Sequence, residues 1–569
     1  MANPPFPTAL AAPGGTPQGR LVRPERPVSA GDGVARSSAV MASGTLVSRV
    51  LGLIRTSQLG YVVGVTGLSA DAFSIANTLP NNINLLVAGG ILQSVLVPQI
   101  VKAATQGRAG EDYVDRLVTL SLALMAGLTV LATAAAPALV WVMSENSDQA
   151  ARKLAVAFAF LCLPQIFFYG LYTLLGNILN ARGHFAAYMW APVLANVIAI
   201  GGLIAFRVAG YEREAPPGHW SPGMVWMLAG TTTLSIVAQG VCLVVPLWRS
   251  GYRYRPRWGF RGVGLGSASR VAFWSFCAVA LSQLGFVVTS KVLNRASDIA
   301  AHAQVVAAGK ASYDYAFLLF MLPHSLITVS LATALFTRMA SAAQTGRTGE
   351  VVADFNRGLR MPAPILVPVS VAGFVFAPMV TAIFFPRAPL AQTNAVAGIL
   401  VAMLVGLVPF GWLYLINRAF YAFEDAKTPF RLQIVVTAVA TAINLYAAAA
   451  PVRQTGVWVG IGQSVSNLAA AALGLVLLRR TLGRLALSLT IRTYVRLVVA
   501  SVFAAGVVVA PVWLLRTHLA GSRLLQLVVL GASGSAYLAL TWIVAHRMRV
   551  REVADLVDPV LRRVRRGTR

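Results

Sequence analysis

Two arginines set inside an otherwise apolar stretch, Arg49 and Arg55, carry the most pointed chemistry in this chain. A guanidinium offers planar, paired donors that suit phosphate and carboxylate groups. At bilayer depth an ionisable side chain costs about 2.5–3.5 kcal/mol on insertion scales, so its presence implies function or a buried partner. Gly52 lies between the two, and six residues set them roughly 120° apart around a helix, able to line a broad cavity but not one narrow stripe. Snorkelling to the interface is the competing reading, stronger for Arg49 than for the deeper Arg55. Asp71 follows in Ser69-Ala-Asp71, where it can reach across an outer gate or serve as the N-cap of the next helix, and the two roles can coexist. Lys310 and Asp314 stand at i,i+4, most simply a self-neutralising ion pair, and Lys291 and Arg295 share that spacing as candidate interfacial anchors. A cavity role is open to all four. Pro80, in Leu79-Pro-Asn-Asn82, and Pro323 each remove a backbone hydrogen bond, which bends a helix or provides a hinge. Gly52, Pro80 and Pro323 are therefore the candidate hinge positions, against the plain alternative of packing kinks that membrane helices tolerate.

The elements that must hold these residues are membrane helices. Of 569 residues, 57% are hydrophobic and only 12% charged, half the roughly 25% of a soluble domain. No soluble core hides that much apolar sequence. Apolar segments of about 20 residues, the length that spans a bilayer, follow one another from residue 39 to 545 and predict fourteen helices. Residues 1–36 read as a disordered cytoplasmic arm, 37–248 as a first lobe of six helices, and 249–269 as a basic inter-lobe linker. A second six-helix lobe follows over 270–480, then two appended helices over 481–546 and a basic tail over 547–569. With the N-terminus in the cytoplasm, 34 of the 47 Lys and Arg fall on the cytoplasmic side, 11 outside and two within the first helix. That asymmetry obeys the positive-inside rule and puts both termini in the cytoplasm.

Other chemistry is excluded or plain. Cys162, Cys242 and Cys277 lie inside apolar runs without a CxxC, and read as inert core residues. No HExxH, no GxSxG with partners and no Walker A sequence is present, and the six His are scattered. No enzyme activity, metal or cofactor is called for, so uphill transport draws on an ion gradient, the membrane potential or downstream consumption. Trp248-Arg-Ser-Gly-Tyr-Arg-Tyr-Arg-Pro-Arg-Trp258 alternates aromatics with arginines at the membrane edge, as does the Arg562–Arg566 run in the tail. Both suit a strap on anionic lipid; a place between two membrane helices argues against nucleic acid.

The chain also repeats itself. Ser57-Gln-Leu-Gly-Tyr-Val-Val63 recurs as Ser282-Gln-Leu-Gly-Phe-Val-Val288, and the Ala103–Glu111 loop recurs at Ala342–Glu350. Ordered matches at similar offsets, with an even number of helices per repeat, give parallel repeats facing each other across a cleft.

Several stretches resemble the MurJ (MviN) family of lipid II flippases. These are Ser48-Arg-Val-Leu-Gly-Leu-Ile-Arg55 with Ala70-Asp-Ala-Phe73 and Leu79-Pro-Asn81, then Gly176-Asn-Ile-Leu-Asn-Ala-Arg-Gly-His-Phe185 with Ala191-Pro-Val-Leu-Ala-Asn196. The strongest is Arg418-Ala-Phe-Tyr-Ala-Phe-Glu-Asp-Ala-Lys-Thr-Pro429. The resemblance implies the fold of the multidrug/oligosaccharidyl-lipid/polysaccharide exporter superfamily, a V of two six-helix lobes in the bacterial inner membrane. It implies passage of undecaprenyl-pyrophosphate-linked disaccharide pentapeptide from the inner to the outer leaflet, in company with cell-wall synthesis or division proteins. Through matching positions Arg49, Arg55, Asp71 and Asn81 inherit cavity roles, the arginines on the pyrophosphate. Four positions depart from the family's pattern: Thr56 and Asn84 stand where an acid and an arginine are frequent, Leu318 and Met321 where an Arg and a Glu are typical. The cationic cavity is thinner than usual, with Lys310 the candidate to compensate. A small-molecule exporter coupled to an ion on the same fold, and a non-transporting scaffold for wall synthesis, are the competing readings.

Overall fold

The computed structural model describes residues 30–87, 107–144, 148–258, 269–483, 485–519 and 523–555. The first lobe comprises α1 (Ala30–Val63), α2 (Leu68–Val87), α3 (Gly107–Ala134, continued by Ala136–Met143), α4 (Gln149–Ala181), α5 (Phe185–Val208) and α6 (Pro222–Arg249). The second comprises α7 (Ser269–His302), α8 (Lys310–Gln344), α9 (Thr348–Phe384), α10 (Leu390–Val405 and Leu407–Ala422), α11 (Lys427–Ala449) and α12 (Val452–Leu482). Then come α13 (Leu487–Leu519) and α14 (Arg523–Arg547). Residues 30–36, expected in the disordered arm, instead form the opening turns of α1. Pro27 is the last proline of the arm, so nothing after it stops a helix already nucleated by the apolar run. The tail beyond 555, the linker over 259–268, residues 103–106 and Gly89-Gly90 lie outside the described residues, and Gly107–Glu111, expected in a loop, open α3.

Eleven of these helices are long and apolar enough to cross a membrane, and α10, whose halves meet at 49°, makes a twelfth when counted as one span. Fourteen crossings are not reached on length and composition. α1 falls short because Arg49 and Arg55 interrupt its apolar run, and α2 because Ser69, Asp71, Asn77, Asn81 and Asn84 dilute its own. The helices that carry Arg49, Arg55, Asp71 and Asn81 thus fall short of the length-and-composition test, whereas α8, which carries Lys310 and Asp314, meets it.

The internal repeat is visible in how helices pair. In the first lobe α1 packs on α5, α5 on α6, α6 on α4 and α4 on α2; in the second α7 packs on α11, α11 on α12, α12 on α10 and α10 on α8. Each lobe even uses an asparagine of its fifth helix on its first: Asn196 donates to the Ser48 carbonyl at 2.9 Å, and Asn444 to Thr289 Oγ1 at 2.9 Å.

The cores show where the lobes meet. One large apolar cluster joins Val62, Phe73 and Phe158 of the first lobe to Tyr315, Phe320 and Met403 of the second. It sits at the end of the bundle where α1 turns into α2 and α7 into α8. Toward the opposite end the core divides, one cluster on α3, α4 and α6, another on α8, α9, α10 and α12. The lobes are therefore sealed at one end, the gate end, and have separate cores at the other.

α13 and α14 pack on α9. α9 contains Pro368, which lacks an N–H and so leaves the Pro364 carbonyl without its helical donor. Trp542 Nε1 of α14 supplies that donor at 3.0 Å, and Tyr537 donates to the Pro368 carbonyl at 2.9 Å. Replacing Trp542 by Phe leaves that carbonyl bare, at a cost of about 1–3 kcal/mol. It should lower the melting temperature of the purified protein in detergent, with Tyr537→Phe acting in the same direction.

Candidate functional site

The gate is built from helix ends that need partners. α8 begins after Gly309, which has no side chain to cap the free N–H groups of its first turn. Asp71 of α2, in the opposite lobe, does so: its Oδ1 accepts from the Ala311 N–H at 2.7 Å. Asp71 is fully buried, and α2 starts at Leu68, so the carboxylate lies inside the first turn of its own helix and caps another. Its second oxygen converges with Ser297 Oγ of α7 over Gly309, where an added Cβ would collide with both. Only glycine leaves room for that approach. One turn further along α2, Ser74 donates to Asp314 of α8.

Lys310 opens α8 fully buried, with its Nζ 2.5 Å from Asp314 Oδ1 and 4.7 Å from the centre of the Phe286 ring. A buried ammonium needs such a partner. Two carboxylates, one ammonium and the partial positive charge of a helix N-terminus, about half a unit, make this cluster nearly neutral and a poor seat for an anion. It is a lock between lobes. Around it, hydroxyls of one lobe meet carbonyls of the other: Ser312 donates to Val65 at 2.7 Å, Tyr315 to Gly64 at 3.3 Å, Ser290 to Met143 at 2.9 Å and Ser57 to Phe384 at 2.6 Å.

The arginines sit apart from that lock. At 1.5 Å per residue, Arg55 lies about 12 Å and Arg49 about 21 Å below the gate end of α1. Arg49 donates to Ser325 of α8, so it also crosses between lobes, and its Nε is buried without a partner. Arg55 is half-buried, faces Tyr169 of α4, and makes no hydrogen bond or ion pair among the described residues. The structure thus brings Asp71, Lys310 and Asp314 together, and leaves Arg49 and Arg55 farther from the gate end, Arg49 in contact with the opposite lobe and Arg55 beside Tyr169 of its own. Asn81 is exposed on α2, one residue past the buried Pro80. A Cβ at Gly52 would make only ordinary contact with Asn196, at 3.8 Å. Pro323 ends the first α-helical part of α8, and His324–Val329 continues as a π-helix.

The positions that depart from the resemblance are occupied without charge. Thr56 Oγ1 donates to the Gly52 carbonyl of its own helix at 2.9 Å, Met321 packs against the shared core, and Asn84 is buried with its Oδ1 unpartnered. Ser74, Ser297, Ser325 and Tyr169 were not singled out by sequence reasoning. Only the missing cap residue before Lys310 signals the arrangement, because an uncapped helix start at an apolar gate must borrow a partner.

At the opposite end the aromatic-basic strap is partly docked. Tyr252 donates to Asp115 Oδ1 at 2.5 Å, and Arg257 pairs with Asp112 at 2.9 Å, both on α3. Burial, then the bond to Asp115, pushes the Tyr252 phenol above its usual range. Trp248 and Trp258 remain exposed. No group of three or more His, Cys, Asp or Glu converges as a metal site among the described residues.

Two internally repeated helical lobes, joined at one end by a shared apolar core and inter-lobe hydrogen bonds and with separate cores at the other, have the architecture of a membrane transporter. The chain belongs to the family described as Lipid II flippase MurJ, whose model matches residues 61–529. Among curated relatives, Lipid II flippase MurJ of Burkholderia cenocepacia is 27% identical over 438 residues, covering 75% of this chain and 80% of that one. Probable lipid II flippase MurJ of Vibrio cholerae is 25% identical over 417 residues, 70% of this chain and 75% of its own length. In fold, the chain resembles a structure of Lipid II flippase MurJ in an inward closed conformation, with a TM-score of 0.67 at 17% identity over 90% of this chain and 99% of that one. A MATE transporter in complex with MaL6 shares the fold more loosely, at a TM-score of 0.57 and 19% identity, over 78% of this chain and 95% of that one.

Removing the trans-lobe cap should loosen the gate. Asp71→Ala leaves the Ala311 N–H unpaired at a cost of about 1–3 kcal/mol, a shift of about 5- to 150-fold toward the open gate. A cysteine at Val65, in a background with the three native cysteines replaced by alanine, reports this as faster labelling by a membrane-impermeant maleimide. Gly309→Val should act the same way by displacing Asp71.

Proposed function

We propose that this protein moves lipid II, the undecaprenyl-pyrophosphate-linked peptidoglycan precursor, from the inner to the outer leaflet of the bacterial cytoplasmic membrane by alternating access. Family membership supports the cargo. The observation that carries the mechanism is Arg55, a half-buried guanidinium that faces Tyr169 of its own lobe and makes no hydrogen bond or ion pair among the described residues. Such a group is poised for a phosphate oxygen, for which charge-assisted bidentate bonds are the natural chemistry. With both termini in the cytoplasm, as the positive-inside charge layout favours, the separate ends of the lobes face the cytoplasm and receive the headgroup. The polyprenyl tail stays in lipid. Arg49 joins the pyrophosphate once it exchanges Ser325 for the ligand, and closing of the cytoplasmic end accompanies rupture of the Asp71–α8 lock. No covalent step is involved; the membrane potential or an ion gradient supplies direction.

The test is transport by the purified chain in liposomes loaded with labelled lipid II, together with growth of a strain depleted of its own flippase. Arg55→Ala should lower the flipping rate at least about tenfold, the worth of one charge-assisted bond, and abolish growth at unchanged membrane abundance. Full growth and full flipping by the variant would remove Arg55 from the site. Export of a small cation without rescue of growth would replace the cargo.

A further inference from the structure

A second cationic group lies at the gate end, unrelated to the arginines inside the cleft. Tyr61, in the last turn of α1, is surrounded by three guanidiniums. Arg207 from the last turn of α5 and Arg213 from the α5–α6 connection each sit 4.6 Å from its ring centre, and Arg387 from the α9–α10 connection sits 4.8 Å away. Arg387 Nη1 also donates to the Tyr61 hydroxyl at 2.6 Å, and Arg207 Nη1 to Gln58 at 3.1 Å. Tyr61, Arg213 and Arg387, with Pro386, Ala388 and Pro389, line an open surface hollow of about 650 Å³.

The charge balance there is unusual. Three cations around one ring repel each other, and cation–π contact returns only about 0.5–1 kcal/mol each at an exposed site. None of the three forms an ion pair among the described residues. Of the neighbouring acids, Glu212 is paired with His219 at 3.6 Å and Glu214 lies over Gly64. Arg207 alone is explained as a favourable charge at a helix C-terminus; Arg213 and Arg387, brought to the same ring from opposite lobes, are not. The Tyr61 oxygen accepts from Arg387, so its own O–H is free to donate outward.

We infer that Tyr61, Arg207, Arg213 and Arg387 form a binding site for a phosphate-class oxyanion, completed only while the lobes are closed at the gate end. Two lobes contribute to it, so an anion bound there stabilises the closed gate by linkage. Release of the anion and parting of Arg387 from Tyr61 are then one event. The site does not require Arg49 or Arg55 to bind cargo, and it adds an anion-responsive latch next to the Asp71 lock. A soluble pyrophosphate and a lipid headgroup phosphate present the same chemistry to it.

The experiment uses the full chain in nanodiscs of neutral phosphatidylcholine, with the Val65→Cys reporter of gate opening. Sodium pyrophosphate, compared with sodium chloride at equal ionic strength, should slow maleimide labelling. The concentration required should rise at least about tenfold in Arg387→Gln and in Arg213→Gln, the loss of one charge-assisted bond each. Both side chains are exposed, so folding does not depend on them. Arg55→Gln removes any share of the effect that comes from pyrophosphate in the cleft, and the share that depends on Arg387 should persist in it. A second set of discs containing phosphatidylglycerol separates the sources: Arg387-dependent protection without added pyrophosphate assigns the site to a headgroup. Protection from neither source, or protection undiminished in both gate variants, overturns the latch. Protection lost in Arg55→Gln but kept in Arg387→Gln overturns it too, while leaving the flippase reading intact.

Discussion

A helix that starts at a buried gate without its own cap must find an acceptor elsewhere, and in this protein the acceptor belongs to the other lobe. The Asp71 carboxylate on the first turn of α8 fixes where α2 and α8 can approach. Gly309 has no side chain because that approach leaves no space for one. Lys310, next in the chain, is drawn into the same dry region and requires Asp314, which in turn accepts from Ser74. Each residue of the lock is thus present because of the one before it. None contributes more than a hydrogen bond or a compensated charge, about 0.5–1.5 kcal/mol net in typical cases, so the lock biases the lobes without fusing them.

The rest of the architecture allows that bias to matter. Within a lobe, helices are held by continuous apolar packing and by repeated contacts such as Asn196 on Ser48 and Asn444 on Thr289. Between lobes, the shared core is confined to the gate end and edged by hydroxyl-to-carbonyl bonds. Rigid bodies joined along one edge rock more readily than they deform. The π-helical turn after Pro323 lies on α8, the helix that carries both the capped N-terminus and the Ser325 contact to Arg49. Both contacts therefore lie on one element.

Membrane character, the two lobes and their parallel repeat were legible in the sequence because hydropathy and repeated motifs are local signals. The Lys310–Asp314 pair was legible for the same reason, since i,i+4 spacing is a property of one helix. The partners of Asp71 and Arg49 were not: Ala311 and Ser325 are 240 and 276 residues away, and a backbone N–H or a serine leaves no pattern to read. Of the six candidate residues, Asp71, Lys310 and Asp314 meet at the gate end while Arg49 and Arg55 lie farther along α1. Sequence records which charges exist, whereas their division depends on which end of each helix faces the seam. The arginines around Tyr61 escaped notice because each looks like an ordinary interfacial charge until three connections meet at one ring.

The thin charge of the cleft follows from the same division of labour. Thr56, Asn84, Leu318 and Met321 are uncharged, while Arg49 contacts Ser325 across the lobes and Arg55 makes no hydrogen bond or ion pair among the described residues. In the proposed mechanism, a cleft with few fixed charges has little internal pairing to break when a pyrophosphate enters, and Ser325 is the partner that Arg49 gives up. Breaking a single hydroxyl contact then frees Arg49 while simultaneously severing a bond between lobes. Ligand capture and lobe movement would thereby share one interaction, which couples the cargo to the rocking motion without a separate relay.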